Sequence, residues 1–270
     1  MPLTVFYITN NPDVALIAEN VGVDRIWVDL ETLGKEERQR GINSVKSQHI
    51  VSDVGKLASV LTKAELLVRI NPWHDGSEDE IEKVISLGAK RIMLPMWKTT
   101  EEVKKFLNCV NRRVRTSLLL ETREAEACLD EVLKVDGVDE IHIGLNDLHL
   151  SYGLSFMFEL LANGTVERIV EKIKKTDIPY GFGGISHIGD GLVPAEMIVM
   201  EHYRLGSTRA ILSRGFCDQT KPLSEIKVAL EKNMKELRAF ENNIDYSRLD
   251  ENRIELVKRV NSIVKKMNNA

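Results

Sequence analysis

Five charged residues stand where apolar runs stop. Asp29 and Glu31 close "IWVDLE", Arg69 closes "ELLVR", Glu121 closes "SLLLE", and Asp147 follows "IHIGLN". Charges are costly to bury without partners, so a convergence of these five implies an ion or an anionic ligand that balances them. Glu121 and Asp147 are 147 − 121 = 26 residues apart, the length of one helix plus one strand, which sets them at one height on neighbouring strands. Two carboxylates, with water and substrate oxygens completing the shell, are what Mg²⁺ or Mn²⁺ receives from a protein. The competing reading makes Asp147 the cap of a helix beginning at Leu148 and pairs Glu121 with Arg123 or another surface base.

The residues before Asp147 add a second function. Gly144 lets the backbone approach a ligand, and successive N–H groups of Gly144, Leu145, Asn146 and Asp147, entering a helix, suit a carboxylate. A small 2-oxo acid can then chelate a metal through its keto and carboxylate oxygens, with Arg69 stabilising the keto oxygen as it becomes an enolate. Arg69, Asp29 and Glu31 are the catalytic candidates on this reading.

These side chains need a scaffold that ends several strands at one rim. Strand-sized apolar runs occur at Thr4–Ile8, Arg25–Leu30, Glu65–Ile70, Arg91–Met96, Ser117–Glu121, Glu140–Leu145, Pro179–Ile185 and Arg209–Leu212. Several are apolar at consecutive positions, as in strands covered on both faces. Segments with helical spacing lie between them, among them "SEDEIEKVISLG" and "TTEEVKKFLNCV". Ser77 with Glu80 reads as a capping box, and Gly88 as a helix C-terminal cap. Eight such alternations predict a (β/α)8 TIM barrel, in which chemistry belongs at the C-terminal ends of the strands. The rival, an open doubly wound sheet, lacks its GxGxxG fingerprint, since "YITNNPD" follows the first strand. No linker divides the chain, so residues 1–270 read as one domain with extra C-terminal helices over about 223–270, broken near "NNIDYSRLD".

Other candidates are weaker. His49 and His74 lie in loops after the second and third strands, within reach of the rim as acid or base. His142 reads as a packed core residue, and His149 and His202 show no partner. "GFGGISHIGDG", residues 181–191, follows the seventh strand, where barrels bind phosphate or carboxylate, yet it lacks GxxxxGK[ST].

Bulk properties exclude several classes. A net charge of −4 argues against nucleic acid or an anionic membrane as partner. Cys109, Cys128 and Cys217 form no CxxC or Cys/His pattern, which suits a reducing cytoplasm and offers no zinc site. The start, "MPLTVFYITNNPD", lacks a basic n-region, and no run has the length to cross a bilayer, so a cytoplasmic location is expected. The apolar stripe Ile254, Val257, Val260, Ile263 and Val264 must be buried somewhere, and a homo-oligomer in which residues after Leu249 dock on a neighbouring subunit is expected.

"WVDLET", "LVRINP", "RIMLPMWKTTEEV", "LLLETREA" and "VDGVDEIHIGLNDLHLSYGL", in this order, resemble the motifs of the HpcH/HpaI aldolase and citrate lyase β-subunit superfamily. The resemblance runs from about Asp24 to Leu154. It implies a TIM barrel, Mg²⁺ or Mn²⁺, and carbon–carbon bond making or breaking through the enolate of pyruvate or of an acyl donor. It makes Glu121 and Asp147 metal ligands, Arg69 the enolate-stabilising arginine, and the backbone from Gly144 to Asp147 the carboxylate holder. A helix exchanged between subunits would account for the long tail. Two positions depart from the aldolase branch: Thr32 stands where that branch has a proton-transferring histidine, and Leu119 where it has a glutamine. The base is therefore unassigned. The expected substrate is a small 2-oxo acid or β-hydroxy acid, with an acyl-CoA as a further partner. The alternatives are an acyl-thioester hydrolase on the same scaffold and a non-enzymatic carboxylate-binding barrel.

Overall fold

The computed structural model describes residues 1–34 and 48–269, so Ala270 at the end of the expected extension lies outside the described residues. Eight strands, β1 (Thr4–Ile8), β2 (Arg25–Asp29), β3 (Glu65–Arg69), β4 (Arg91–Leu94), β5 (Arg115–Leu120), β6 (Ile141–Ile143), β7 (Tyr180–Ile185) and β8 (Arg209–Leu212), pair in parallel in chain order. The pairing of β1 with β8 closes the barrel. The helices that follow are α1 (Pro12–Asn20), α2 (Val51–Ala58), α3 (Ser77–Ser86), α4 (Thr100–Val110), α5 (Arg123–Ala127), α6 (Leu129–Val132) and α7 (Leu145–Ser151). After these come α8 (Glu159–Ala162), α9 (Thr165–Ile173), α10 (Ala195–Leu205), α11 (Leu223–Asn242) and α12 (Leu249–Asn268). This is the (β/α)8 barrel the strand rhythm predicts.

Strand alternation sorts side chains between the barrel interior and the helix-covered exterior. Outside, Val5, Ile26, Val28, Leu66, Val68, Ile92, Leu118 and Ile141 join one continuous core with the helices. Inside, three layers are stacked. The middle one is a separate apolar cluster of Phe6, Trp27, Leu67, Met93 and Leu119, with Ile8 and Ile211 packed against it. Two residues earlier on the same strands, at the N-terminal end, stand Arg25, Glu65, Arg91 and Ser117. They form an ionic floor. Arg25 Nη1 donates to both oxygens of Glu140 at 2.8 Å, its Nε lies 2.6 Å from Glu65, and Arg209 Nε lies 2.8 Å from Glu140. Arg91 Nε adds a 3.0 Å contact to Glu65. The mouth layer, two residues later, holds Asp29, Arg69 and Glu121.

Local chemistry explains most helix ends. Asn11 caps α1 with Pro12 at its first position, Thr99 and Glu102 form a capping box on α4, and Gly88, at φ +101, follows α3. The box expected at Ser77 and Glu80 does not form. Gly76 is the N-cap of α3, the Ser77 hydroxyl accepts from His74 N at 2.8 Å, and the Glu80 carboxylate turns to Asn71. β4 stops at Leu94, short of the expected Met96, because Met96 adopts φ +53.

α12 packs on its own barrel against α10 and α8, burying Leu256 and Val260 completely. Asn252 Nδ2 donates to Met197 O at 3.0 Å, and Arg259 Nε to Leu192 O at 2.9 Å, fixing the helix along its length. Ile254, expected in the buried stripe, is 57% exposed, and Val257, Ile263 and Val264 are only partly covered. No helix among the described residues is long and apolar enough to cross a membrane.

The ionic floor generates a stability prediction. Glu140 has no solvent exposure; burial opposes its charge, but Arg25 and Arg91 outweigh it and hold the carboxyl below its ordinary value. Its stabilisation is thus complete above the ordinary carboxylate range and is lost as pH falls through the depressed native value. Glu140→Ala should destabilise the fold by roughly 3–5 kcal/mol, the cost of leaving buried guanidinium groups without their partner. Urea unfolding midpoints at neutral pH check this.

Candidate active site

The register of the barrel sets the first contact. Asp29 on β2 lies directly opposite Arg69 on β3. Arg69 Nε and Nη2 donate to the two Asp29 oxygens at 2.8 and 2.8 Å, and Nη2 lies 3.2 Å from Glu31 Oε2. The guanidinium carbon sits 5.1 Å from the Trp27 ring centroid, so the apolar layer forms its seat. Burial works against the guanidinium charge, but Asp29 and Glu31 outweigh it and raise Arg69 above its ordinary value. Arg69 is permanently cationic.

Glu121, just past β5, is buried and accepts the Met96 N–H at 3.1 Å. Burial first, then the charges of Asp147 and Glu31, push its carboxyl well above the usual range, while Arg69 pulls it down. Gly144 makes room for it. A Cβ there would lie 2.7 Å from Glu121 Oε2 and 3.0 Å from its Cβ, so even Ala would displace the carboxylate. Gly144 has φ −82, so the requirement is space and not backbone freedom.

Asp147 is buried in the first turn of α7, which begins at Leu145 and not at Leu148. Gly144 is the N-cap and has no side chain, so the reading of Asp147 as cap is set aside. Arg123 lies over the Tyr152 ring at 5.4 Å, and Glu121 instead faces Met96, Asp147, Glu31 and Arg69. The five charges therefore do converge on the mouth. Among the described residues no three His, Cys, Asp or Glu side chains form a group that could hold a metal. Glu121 and Asp147 are a pair of hard oxygen donors of like charge, the type of donor set that suits Mg²⁺ or Mn²⁺ when solvent and substrate complete the shell.

The histidines separate. His49 reaches the rim, where its Nδ1 accepts the Asp29 N–H at 3.0 Å, so the neutral ring carries its proton on Nε2. His74 is engaged locally, by Pro72 O at 3.1 Å and Ser77 Oγ at 2.9 Å. His142 is fully buried inside the barrel, where burial pushes its pKa down to about 4, and it remains neutral. His202 does have a partner: Ser207 Oγ lies 2.7 Å from Nδ1 and the ring stacks on Phe182 at 3.8 Å. His149 Nδ1 lies 3.1 Å from Leu145 O. Much of the glycine-rich run is β7 itself, and Gly181 is required there because a Cβ would lie 2.3 Å from Arg209 O.

Asn71 was missed as a site residue, though it stands two positions past Arg69. Its Oδ1 accepts Thr32 N at 2.9 Å, Thr32 Oγ1 at 3.2 Å and Leu33 N at 3.0 Å. Thr32 is exposed, and Leu119 is sealed in the apolar layer below.

The model of the HpcH/HpaI aldolase/citrate lyase family matches residues 3–178, and the chain belongs to that family. A hydroxypyruvate/pyruvate aldolase of Rhizorhabdus wittichii is 31% identical over 141 residues, 40% of this chain; the chain spans 55% of that relative's length. In fold, the chain is similar to an HpcH/HpaI aldolase of Desulfitobacterium hafniense (TM-score 0.59, 18% identity, 78% of this chain and 86% of that one). It is similar also to a citrate lyase of Burkholderia xenovorans (TM-score 0.60, 13% identity, 97% and 92%).

A like-charged buried pair opposes folding when nothing sits between its members. At a pH high enough to ionise Glu121, Glu121→Gln keeps the shape and removes one charge, so in metal-free buffer it should stabilise the fold, by about 1 kcal/mol. A denaturant midpoint that stays or falls would contradict the repulsion argued for Glu121 and Asp147.

Proposed function

We propose that the protein is a divalent-metal-dependent carbon–carbon lyase of the aldolase type, acting on a small 2-oxo acid or β-hydroxy acid. The observation that carries this reading is Glu121 buried beside Asp147, with Arg69 within the same charge cluster at the barrel mouth. Glu121 and Asp147 would hold Mg²⁺ or Mn²⁺. When bound, the ion supplies positive charge that polarises a keto oxygen and lowers the cost of placing electrons on it.

The chain's own residues do the remainder. Asp29 takes two donors of Arg69 and Glu31 a third contact, so the guanidinium is fixed before substrate arrives. A preorganised donor stabilises an oxygen that gains charge more than it stabilises the neutral ketone, which is the requirement for faster turnover. As the carbon–carbon bond of an aldol substrate breaks, its electron pair would move into the enolate, the hydroxyl of the departing fragment would give its proton to water and become a carbonyl, and Arg69 would stabilise the enolate oxygen. The N–H groups of Leu145 and Asn146, at the start of α7 beside Gly144, would receive the substrate carboxylate. The relative named as a hydroxypyruvate/pyruvate aldolase supports a 2-oxo acid as substrate.

Two measurements test this. In calorimetric titration with Mn²⁺ the parent should bind, while Glu121→Ala and Asp147→Ala should lose binding with the fold intact by circular dichroism. A doubly substituted protein that binds like the parent would end the metal assignment.

Oxaloacetate decarboxylation forms the pyruvate enolate with loss of CO₂ and needs no second substrate. Arg69→Lys keeps the charge but loses the planar fork, so turnover should drop roughly 100-fold or more, comparable to losing one oxyanion donor. Parental turnover in that variant would leave Arg69 only its ion pairs.

A further inference from the structure

The segment that carries Asp29 and Glu31 is tied down by a second device, independent of the ion pairs. Thr32 and Leu33 both donate backbone N–H groups to one atom, Oδ1 of Asn71, at 2.9 and 3.0 Å. An asparagine amide can present either its oxygen or its nitrogen, and only the oxygen accepts these bonds. Glu80 decides which. Its Oε1 accepts Asn71 Nδ2 at 2.9 Å and the Asn71 backbone N–H at 3.2 Å. A flipped amide would set Oδ1 against the Glu80 carboxylate and Nδ2 against the Thr32 and Leu33 N–H groups, with repulsion at both ends. Glu80 is itself half-buried on α3, and burial raises its carboxyl despite the opposing bonds from Asn71.

Covalent connectivity makes the device mechanically relevant. Asn71 is two residues from Arg69, and Thr32 is one from Glu31 and three from Asp29. The same two strand ends are thus joined twice, by carboxylates gripping Arg69 and by an amide gripping the loop beyond them. We propose that Asn71 and Glu80 are positioning residues that hold Thr32 and Leu33, just past β2, against the chain just past β3 and so fix Asp29 and Glu31 on Arg69. The structural half of this stands alone; the catalytic half rests on the lyase reading above.

Hydrogen exchange of the Thr32 amide reads the first half directly. In Asn71→Ala and in Glu80→Ala this amide should exchange about tenfold faster, the loss of one hydrogen bond expressed as a rate. Glu80→Gln retains an acceptor oxygen for both Asn71 donors and should exchange like the parent. If Asn71→Ala does not fold, the contrast between Glu80→Ala and Glu80→Gln carries the test. Unchanged Thr32 exchange in the alanine variants would overturn the proposal.

Metal-dependent decarboxylation of oxaloacetate reads the second half. Loosening Asp29 and Glu31 misplaces the Arg69 donors, so kcat should fall on the order of 100-fold in Asn71→Ala and Glu80→Ala, with little change in KM. Glu80→Gln should restore it. Faster exchange with parental kcat would overturn the positioning role. A parent that binds no metal and decarboxylates nothing would instead fail the lyase reading, and the exchange rates alone would then decide the clasp.

Discussion

The mouth of this barrel is organised by one guanidinium. Arg69 stands opposite Asp29 by strand register and is gripped by it through two parallel hydrogen bonds, with Glu31 beside them. A bidentate pair in a site shielded from water is strong and directional. It is also sensitive to loss, because removing either member leaves a buried charge. This contact holds the carboxylates of Asp29 and Glu31 on the guanidinium and orients it at the mouth. His49 completes it from outside. Where β1 stops at Ile8, the Asp29 N–H is received by an imidazole nitrogen.

Charge in the barrel is confined to two ends. The floor pairs Arg25, Arg91 and Arg209 with Glu65 and Glu140, and those ions satisfy one another. The apolar layer of Phe6, Trp27, Leu67, Met93 and Leu119 separates the floor from the mouth. The floor ties the barrel together across its N-terminal end, and Asp29, Arg69 and Glu121 stand at the other end. That division agrees with the general behaviour of this fold, in which the C-terminal face reacts and the opposite face stabilises.

Much of this was legible in the sequence because burial writes simple patterns. Strands covered on both faces are apolar at consecutive positions, and all eight were found within a few residues of their observed ends. A charge closing such a run, as at Arg69 or Glu121, has few explanations other than a rim site. The floor was less legible, since Arg25, Glu65 and Arg91 at strand starts look like ordinary polar flanks. Only their period-two spacing from Trp27, Leu67 and Met93 marks them as interior. Ser77 and Glu80 misled for a related reason. The capping pattern is local, but Glu80 finds a partner in Asn71 that local sequence does not reveal. In the tail, helical spacing found most of the covered face, with Val260 buried and Val257, Ile263 and Val264 partly covered, but missed its edge. Leu256 lies in the seam and Ile254 lies outside, because the face is set by where α10 and α8 lie.

The two departures from the aldolase pattern acquire physical meaning in this frame. A polar side chain at position 119 would point into the middle layer beside Trp27, Leu67 and Met93, and its amide would need partners there. Leu119 removes that need and also packs against the position of Gly144, whose missing side chain leaves room for Glu121. Thr32 is a donor, not a base: its hydroxyl and backbone N–H both point to Asn71. A histidine ring at that position would have to give up the Oγ1 contact and carry its proton chemistry on an exposed loop. In this chain the position has become part of the clasp. The imidazole at the rim belongs to His49, whose Nδ1 is committed to the Asp29 N–H and whose neutral form therefore bears its proton on Nε2. Any proton exchanged by that ring leaves or arrives through Nε2, and the ring's orientation is coupled, through Asp29, to the same guanidinium that organises the mouth.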